Sequence, residues 1–518
     1  MENVLETLLT RRASIWKDVC PDPSPEEMPE AGLMGENTTA EALGVSHVAG
    51  CYTFEEPYLQ EGVRFLQRAG FHTVKLWLCA SVGQYYPRKD GWPDCQRLAE
   101  LVSDAAYCEV FNEAGIHTWF LESIPFSLVD FGREISVAEW QAIYDEFYDL
   151  AAYLLISYRG TGKRFVLQNW EGDWMYAGTF DMTSPTFEEP LRLQNFRQYL
   201  QCLQAAVTDA RGSVQTMQKE DVYVFACAEV NLIAHPDAPG QPETQRFAVN
   251  QVIPHTAMDL YSFSNYQSWH RADVLSRLIT HYRSRAPKSV AFGRYNIILG
   301  EYGVPEREFG TAYQQCIAAV HTRVMREEFH APYHIYWQLF CNECCEENKR
   351  GQIYGQRGFW LVRPDQSLTP AYWWLRQALG QDASARFENS SALAFWEWLE
   401  GEVETADQYS YICPPEDKLW IHGSARLGID CKGVTGLWLC INATAFSEEG
   451  VLVAYLDEDG TVLTQSECIL FRQQGMRYEV KPLLPPPAAA RFAEWRFDPP
   501  QANNWMIKGI YVQKGVEL

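Results

Sequence analysis

Between about residues 40 and 380, short apolar runs rich in β-branched and aromatic residues alternate with amphipathic stretches. Parallel strands joined by crossover helices produce this pattern. Eight strands are predicted, at Val45-Ser-His-Val, Thr73-Val-Lys-Leu-Trp-Leu, Ile116-His-Thr-Trp-Phe-Leu-Glu122, Phe165-Val-Leu-Gln-Asn-Trp-Glu171, Val222-Tyr-Val-Phe-Ala-Cys-Ala-Glu229, Leu260-Tyr-Ser-Phe-Ser, Asn296-Ile-Ile-Leu-Gly-Glu301 and Tyr333-His-Ile-Tyr-Trp-Gln. Helices are predicted over Tyr58 to Ala69, closed by Gly70, over Val137 to Tyr158, closed near Gly160, and over Thr311 to Glu328. Eight strand-helix repeats imply a (β/α)8 barrel.

From about Ala385 the period changes. Short alternating runs such as Ala425-Arg-Leu-Gly-Ile-Asp and Leu437-Trp-Leu-Cys-Ile-Asn are separated by turn signals such as Asp457-Glu-Asp-Gly460, and long helical stretches stop. This texture predicts an antiparallel β-sandwich, with Pro482-Leu-Leu-Pro-Pro-Pro as an exposed loop. The expected organisation is a catalytic barrel with an N-terminal extension over 1–380 and an accessory sandwich over 381–518, the boundary following a helix at Ala371 to Leu379. Trp420, Trp438, Trp495 and Trp505 of the sandwich are candidate sugar platforms, with core packing the competing use.

Composition narrows the partners. The 518 residues carry a formal charge of −24, which repels nucleic acid and anionic membrane surfaces and suits a neutral substrate. No secretory leader or membrane-spanning run is visible, and the odd count of 15 cysteines without a repeated spacing suits reduced thiols, so a cytoplasmic protein is expected. Aromatic residues make up 14% of the chain, enough for sugar-stacking faces as well as core. The sequence leaves the number of subunits open, and a homo-oligomer is compatible with it.

Candidate chemistry follows from where the strands end, because a barrel of this kind gathers its functional groups at the carboxyl ends of its strands. Glu171 and Glu301 end the fourth and seventh predicted strands, and Glu122 and Glu229 end the third and fifth. A facing carboxylate pair can cleave a glycosidic bond, one group donating a proton to the leaving oxygen while the other attacks the sugar. Metal and nucleotide chemistry find little footing. Cys341-Asn-Glu-Cys-Cys345 resembles half of a zinc site, no His-x-His or His-Glu-x-x-His occurs, and Gly160-Thr-Gly-Lys163 reads as a helix end. No cofactor is expected.

With Glu171 on strand four and Glu301 in Leu299-Gly-Glu-Tyr-Gly303 on strand seven, the chain resembles the clan A retaining glycoside hydrolases. That resemblance implies Glu171 as acid/base and Glu301 as nucleophile. Tyr266, in Ser264-Asn-Tyr-Gln, matches a tyrosine that hydrogen-bonds the nucleophile, and Trp337, ending strand eight, matches a sugar-stacking aromatic. Gly358-Phe-Trp-Leu-Val-Arg-Pro-Asp, followed by Leu368-Thr-Pro-Ala-Tyr, looks like the segment after strand eight in such enzymes.

Two positions depart from the clan pattern. Trp170 intervenes between Asn169 and Glu171, where many members have Asn directly before the acid, although period-two alternation puts Asn169 and Glu171 on one side of a continuous strand. Lys75 is the nearest cation to the place where many members have Arg on strand two. Asn169, Trp170, Tyr266, Trp337, Lys75, Glu229 and Asn231 are the expected substrate-binding set. Trp170 and Trp174 are expected to raise the pKa of Glu171, and a tyrosine hydroxyl to favour the anion of Glu301. The expected activity is a retaining glycosidase for small, β-linked glycosides or oligosaccharides. The competing readings are a carbohydrate-binding barrel without turnover and a barrel lyase or isomerase using Glu122 or Glu229.

Overall fold

The computed structural model describes Met34, residues 37–49, 57–214, 222–235, 237–268, 272–309, 311–343, 356–364 and 368–380, and then short stretches between 386 and 514 that hold the C-terminal strands. The chain divides into two compact units, one of Met1–Ser268, Asp273–Tyr302 and Thr322–Leu339, the other of Trp269–Ala272, Gly303–His321 and Phe340–Leu518.

The first unit is a closed barrel of eight strands: β1 (Leu43–Ser46), β2 (Thr73–Leu78), β3 (Thr118–Ser123), β4 (Arg164–Gln168), β5 (Tyr223–Val230), β6 (Leu260–Asn265), β7 (Ile297–Tyr302) and β8 (His334–Tyr336). Each strand pairs in parallel with the next, and β8 closes on β1. All eight overlap predicted runs, the first by only two residues, Val45 and Ser46. The helices follow their end signals: α1 (Tyr58–Ala69) buries Leu59, Val63 and Leu66 and stops where Gly70 takes a φ of 89°. There the Gly70 and Phe71 amides return to the carbonyls of Gln67 and Leu66, satisfying the helix end. α2 (Val137–Ser157) opens on a capping box, in which the Ser136 hydroxyl accepts from the Glu139 amide and the Glu139 carboxylate accepts from the Ser136 amide. The helix from Thr311 ends at Arg323 and widens into a π-helical turn over Val324–Glu328. After α2, Lys163 donates to the carbonyls of Glu113 and Ile116, so Gly160 to Lys163 leads into β4 and forms no phosphate loop.

Alternation along the barrel strands sets the height of the site. Phe120, Val166, Cys227, Leu260 and Ile298 lie in one buried cluster with Phe225, Phe292, Tyr333 and Ile335 and fill the interior with apolar side chains. Two residues further along β3, β4, β5, β6 and β7 stand Glu122, Gln168, Glu229, Ser262 and Gly300, so a polar layer rests directly on the apolar one.

Two details differ from expectation. β4 ends at Gln168, three residues short of Glu171, and an antiparallel hairpin of Ala234–His235 with Ala238–Pro242 lies between β5 and β6. Among the described residues, no helix is long and apolar enough to cross a membrane.

In the second unit, the Arg363 guanidinium donates to both carboxylate oxygens of Glu306, which also accepts from the Trp360 indole. Thr369 caps the helix Pro370–Ala378 through the Tyr372 amide. The C-terminal strands form two antiparallel sheets. One runs Glu402–Ala406, Lys418–His422, Asn504–Lys514, Val434–Ala443, Glu479–Pro482, with Arg386–Asn389 also on Asn504–Lys514. The other runs Ala425–Asp430, Phe492–Phe497, Gly450–Leu456, Val462–Ile469. The side chains of Trp420, Trp438, Trp495 and Trp505, most of the Pro482 loop, and Cys344 and Cys345 of the zinc-like motif lie outside the described residues.

Candidate active site

A β-bulge delivers Glu301. Along β6 and β7, Phe263 is level with Leu299 but Ser264 is level with Glu301, so Gly300 is an extra residue on β7. The bulge shifts the pleat by one, and Glu301 reaches the barrel interior although it stands three residues, an odd number, beyond inward-facing Ile298. The extra position favours glycine, because any larger residue would have to displace its neighbours. A Cβ there would lie 2.0 Å from the Ser262 hydroxyl and 2.1 Å from Glu229 Oε2.

The polar layer centres on Lys75 of β2, which is fully buried. Its ammonium donates to Glu301 Oε1 at 2.8 Å and to the Gly300 carbonyl at 3.4 Å. It also lies 3.2 Å from Glu122 Oε1 and 3.7 Å from Glu229 Oε2. Burial alone would lower the lysine's pKa, but the three carboxylates together outweigh it and raise the value, so Lys75 is a fixed cation. One oxygen from each of Glu122, Glu229 and Glu301 lies within 4.8 Å of the others, a spacing a metal ion could use, and it is the Lys75 ammonium that stands among them. The opposite oxygen of Glu301 accepts from the Tyr266 hydroxyl at 3.0 Å. Both carboxylate oxygens are thereby oriented, one by a charge and one by a neutral donor.

Glu229 has a different place from the one expected. It is fully buried, and its Oε2 accepts from Gln168 at 2.6 Å and from Ser262 at 2.8 Å, while Oε1 accepts from the Glu171 amide at 3.2 Å. Burial raises its pKa to about 7, against the lowering effect of Lys75. Both of its oxygens are taken up by protein donors, so in this structure it holds together the groups around it.

Glu171 follows β4 across Asn169 and Trp170 and opens α3 (Gly172–Ala177). The strand-alternation argument for Asn169 and Glu171 does not apply, because the ladder stops at Gln168. The Asn169 side chain then takes the ladder's place, accepting from the Glu229 amide at 2.8 Å and donating to the Glu229 carbonyl at 3.0 Å and the Trp170 carbonyl at 3.0 Å. Asn169 thus fastens the turn that carries Glu171 to β5. Asn231 does similar work, accepting from the Asp173 amide, while the Asp173 carboxylate receives the amides of Asn231, Leu232 and Ala248. Gly172 allows the turn to lie against β5, since a Cβ would come within 2.5 Å of the Glu229 carbonyl.

Of the four glutamates, Glu171 is the one that is only partly buried. Its carboxyl is held well above the usual carboxylate range by burial, then by the charges of Glu301, Glu229 and Glu122, with Lys75 offsetting part of this. The expected direction is present, and neighbouring anions contribute to it as well as apolar surroundings.

A run of aromatic rings begins at Trp170, the residue before Glu171. Trp77, at the end of β2, stacks on Tyr85 with centroids 4.2 Å apart and lies 6.4 Å from Trp170. Phe180 is 6.3 Å from Trp170 and 5.7 Å from Trp174, and it is 72% exposed. Trp337, just past β8, is 7% exposed and anchored by its amide to the Tyr302 carbonyl. Sequence reasoning missed Trp77, Gln168 and Ser262. The signal for the last two was available as single polar residues at inward positions of otherwise apolar buried strands.

No protein-family model and no curated protein matches the chain. Among solved structures, the chain is similar to β-glucuronidase 2 of Bacteroides uniformis at 9% identity and a TM-score of 0.42, over 92% of this chain and 65% of that one. It is similar to a family 39 glycoside hydrolase of Bacteroides cellulosilyticus at 12% identity and a TM-score of 0.40, over 89% and 82%. It is also similar to the exo-β-1,4-mannosidase Op5Man5 of an Opitutaceae bacterium at 11% identity and a TM-score of 0.43, over 68% and 60%. The chain thus spans just under two thirds of the β-glucuronidase. The site geometry, not these likenesses, supports the function below.

Proposed function

We propose that the barrel is a retaining glycoside hydrolase that cleaves small glycosides or oligosaccharides, β-linked, by double displacement. The observation that carries the reading is the division of labour between two carboxyl groups in one barrel mouth. Glu301 has an oxygen on the Lys75 ammonium and an oxygen on the Tyr266 hydroxyl, while Glu171, partly exposed, is pushed toward its protonated form by its neighbours. A carboxyl group held toward its protonated form beside one fixed by two donors is what an acid and a nucleophile need. Glu301 attacks the anomeric carbon as Glu171 gives its proton to the leaving oxygen. Water, deprotonated by Glu171, then releases the sugar from Glu301 with the original anomeric configuration. Trp170, Trp77 and Trp337 supply ring faces for the sugar.

The lyase or isomerase reading loses support because Glu122 and Glu229, its candidate bases, are fully buried beneath the mouth. The two antiparallel sheets of the C-terminal unit are read as a sandwich that accompanies the barrel. The test is a panel of chromogenic aryl α- and β-glycosides offered to wild type, Glu171→Gln and Glu301→Gln, with proton NMR of the first-formed sugar. Release by wild type alone, with retained configuration, supports the proposal. Inverted product, or release that survives both substitutions, contradicts it.

A further inference from the structure

Glu122 takes no part in the mechanism above, yet it sits fully buried in the same polar layer, and neither of its carboxylate oxygens accepts a well-aligned hydrogen bond from the protein, although the Lys75 ammonium stands 3.2 Å from Oε1. Its neighbours differ in this respect. Glu229 accepts from Gln168, Ser262 and the Glu171 amide, and Glu301 accepts from Lys75 and Tyr266. With all three carboxyl groups ionised, the buried layer would hold one positive and three negative charges, a net of −2. Hydrogen bonds favour the ionised form of the group that accepts them, so the proton belongs on the one carboxyl that accepts none.

We propose that Glu122 is a positioning residue that stays a neutral carboxylic acid and thereby leaves the Lys75 ammonium committed to Glu301. The inference rests on the glycosidase reading only for its catalytic consequence. The distances fit: Lys75 donates to Glu301 at 2.8 Å, while Glu122 Oε1, at 3.2 Å, is off hydrogen-bond geometry. An ionised Glu122 would compete for the same ammonium. The charged and titratable groups around it are Lys75 on β2, Glu229 on β5, Glu301 on β7, Glu171 after β4, and Cys79, Tyr85 and Tyr86 after β2. Burial is the largest influence on its carboxyl and raises it well above the usual range; Lys75 opposes this, and Glu301 and Glu229 add to it.

Two measurements test the proposal with Glu122→Gln, whose amide mimics the neutral acid. The first is infrared difference spectroscopy, wild type minus variant, at neutral pH. The expected difference is the carbonyl stretch of one protonated carboxyl; loss of an ionised carboxylate band instead overturns the proposal, whether or not any glycoside is cleaved. The second is the pH profile of kcat/KM on a dinitrophenyl glycoside, whose leaving group needs no acid, so that Glu171 does not shape the alkaline limb. The neutral acid is the productive form, so wild type loses activity as pH rises through the Glu122 ionisation, and the variant's limb should lie at least one pH unit higher. Coincident limbs overturn the catalytic part. If the amide does not fold, Glu122→Met takes its place, and failure of both neutral side chains to fold contradicts a neutral Glu122.

Discussion

Replacing Lys75 by Met removes the one cation of a buried layer and leaves Glu122, Glu229 and Glu301 facing one another with their oxygens within 4.8 Å. Methionine is close in volume, so the packing change is small and the cost is electrostatic. Removing one partner of a buried ion pair costs about 3–5 kcal/mol, because the remaining charge is neither solvated nor paired. Glu301 loses its ammonium donor and Glu229 its nearby cation, so the upper part of that range is expected at pH 8. The sign of the pH dependence follows from linkage. A carboxyl whose native pKa is raised binds its proton more tightly folded than unfolded. Its penalty is therefore absent below the unfolded value and grows as pH rises toward the native one. Each such group contributes about 1.4 kcal/mol per pH unit over that interval. The Lys75→Met protein should recover at least half of its loss between pH 8 and pH 5. Hydrogen exchange of peptides covering β2 and β7 reads the local opening free energy in the barrel without requiring the two compact units to unfold together. A loss below about 1 kcal/mol at pH 8, or an equal loss at both pH values, would refute the electrostatic account of the layer.

Gly300→Ala should cost about 1–3 kcal/mol by overpacking and lower kcat/KM at least tenfold by displacing Glu229 and Glu301; urea unfolding and steady-state kinetics check both, and a variant equal to wild type would mean the bulge tolerates a methyl. Glu171→Ala should lower kcat/KM by about 10²–10⁴ on alkyl glycosides and far less on dinitrophenyl glycosides. The part of the alkaline limb that Glu171 sets with alkyl glycosides, where activity falls as pH rises through its raised pKa, should vanish with it and leave the limb set by Glu122. Phe180→Ala should leave stability within about 0.5 kcal/mol, since the ring is mostly exposed. It should raise KM for aryl glycosides a few-fold through lost ring stacking, and an unchanged KM would remove Phe180 from the substrate wall.

The barrel was legible because its two periods are strong: apolar strands a few residues long and amphipathic helices closed by Gly70 and by the Ser136–Glu139 capping box leave little ambiguity. That Glu301 would face the barrel interior was expected for an incomplete reason. Simple alternation from Ile298 would have turned it outward, and only the Gly300 bulge, held open by Ser262 and Glu229 on two other strands, brings it inside. Lys75 and Tyr266 meet Glu301 as their types suggested. Asn169, Asn231 and Glu229 show the limit of reading polar residues near strand ends as ligand contacts. Their partners are backbone amides and side chains from segments distant in sequence, and a one-dimensional pattern does not show that a carboxylate is already satisfied. The C-terminal unit showed its strand period and its antiparallel pairing.

The central claim, that Glu301 attacks the sugar, is tested most directly by incubating the protein with 2-deoxy-2-fluoro glycosides of the best cleaved sugar and mapping the adduct by peptide mass spectrometry. The account predicts one sugar per chain on the peptide containing Glu301, and no labelling of Glu301→Gln. An adduct on Glu171, Glu229 or Glu122, or turnover of the parent glycoside with no adduct at any carboxylate, would contradict it.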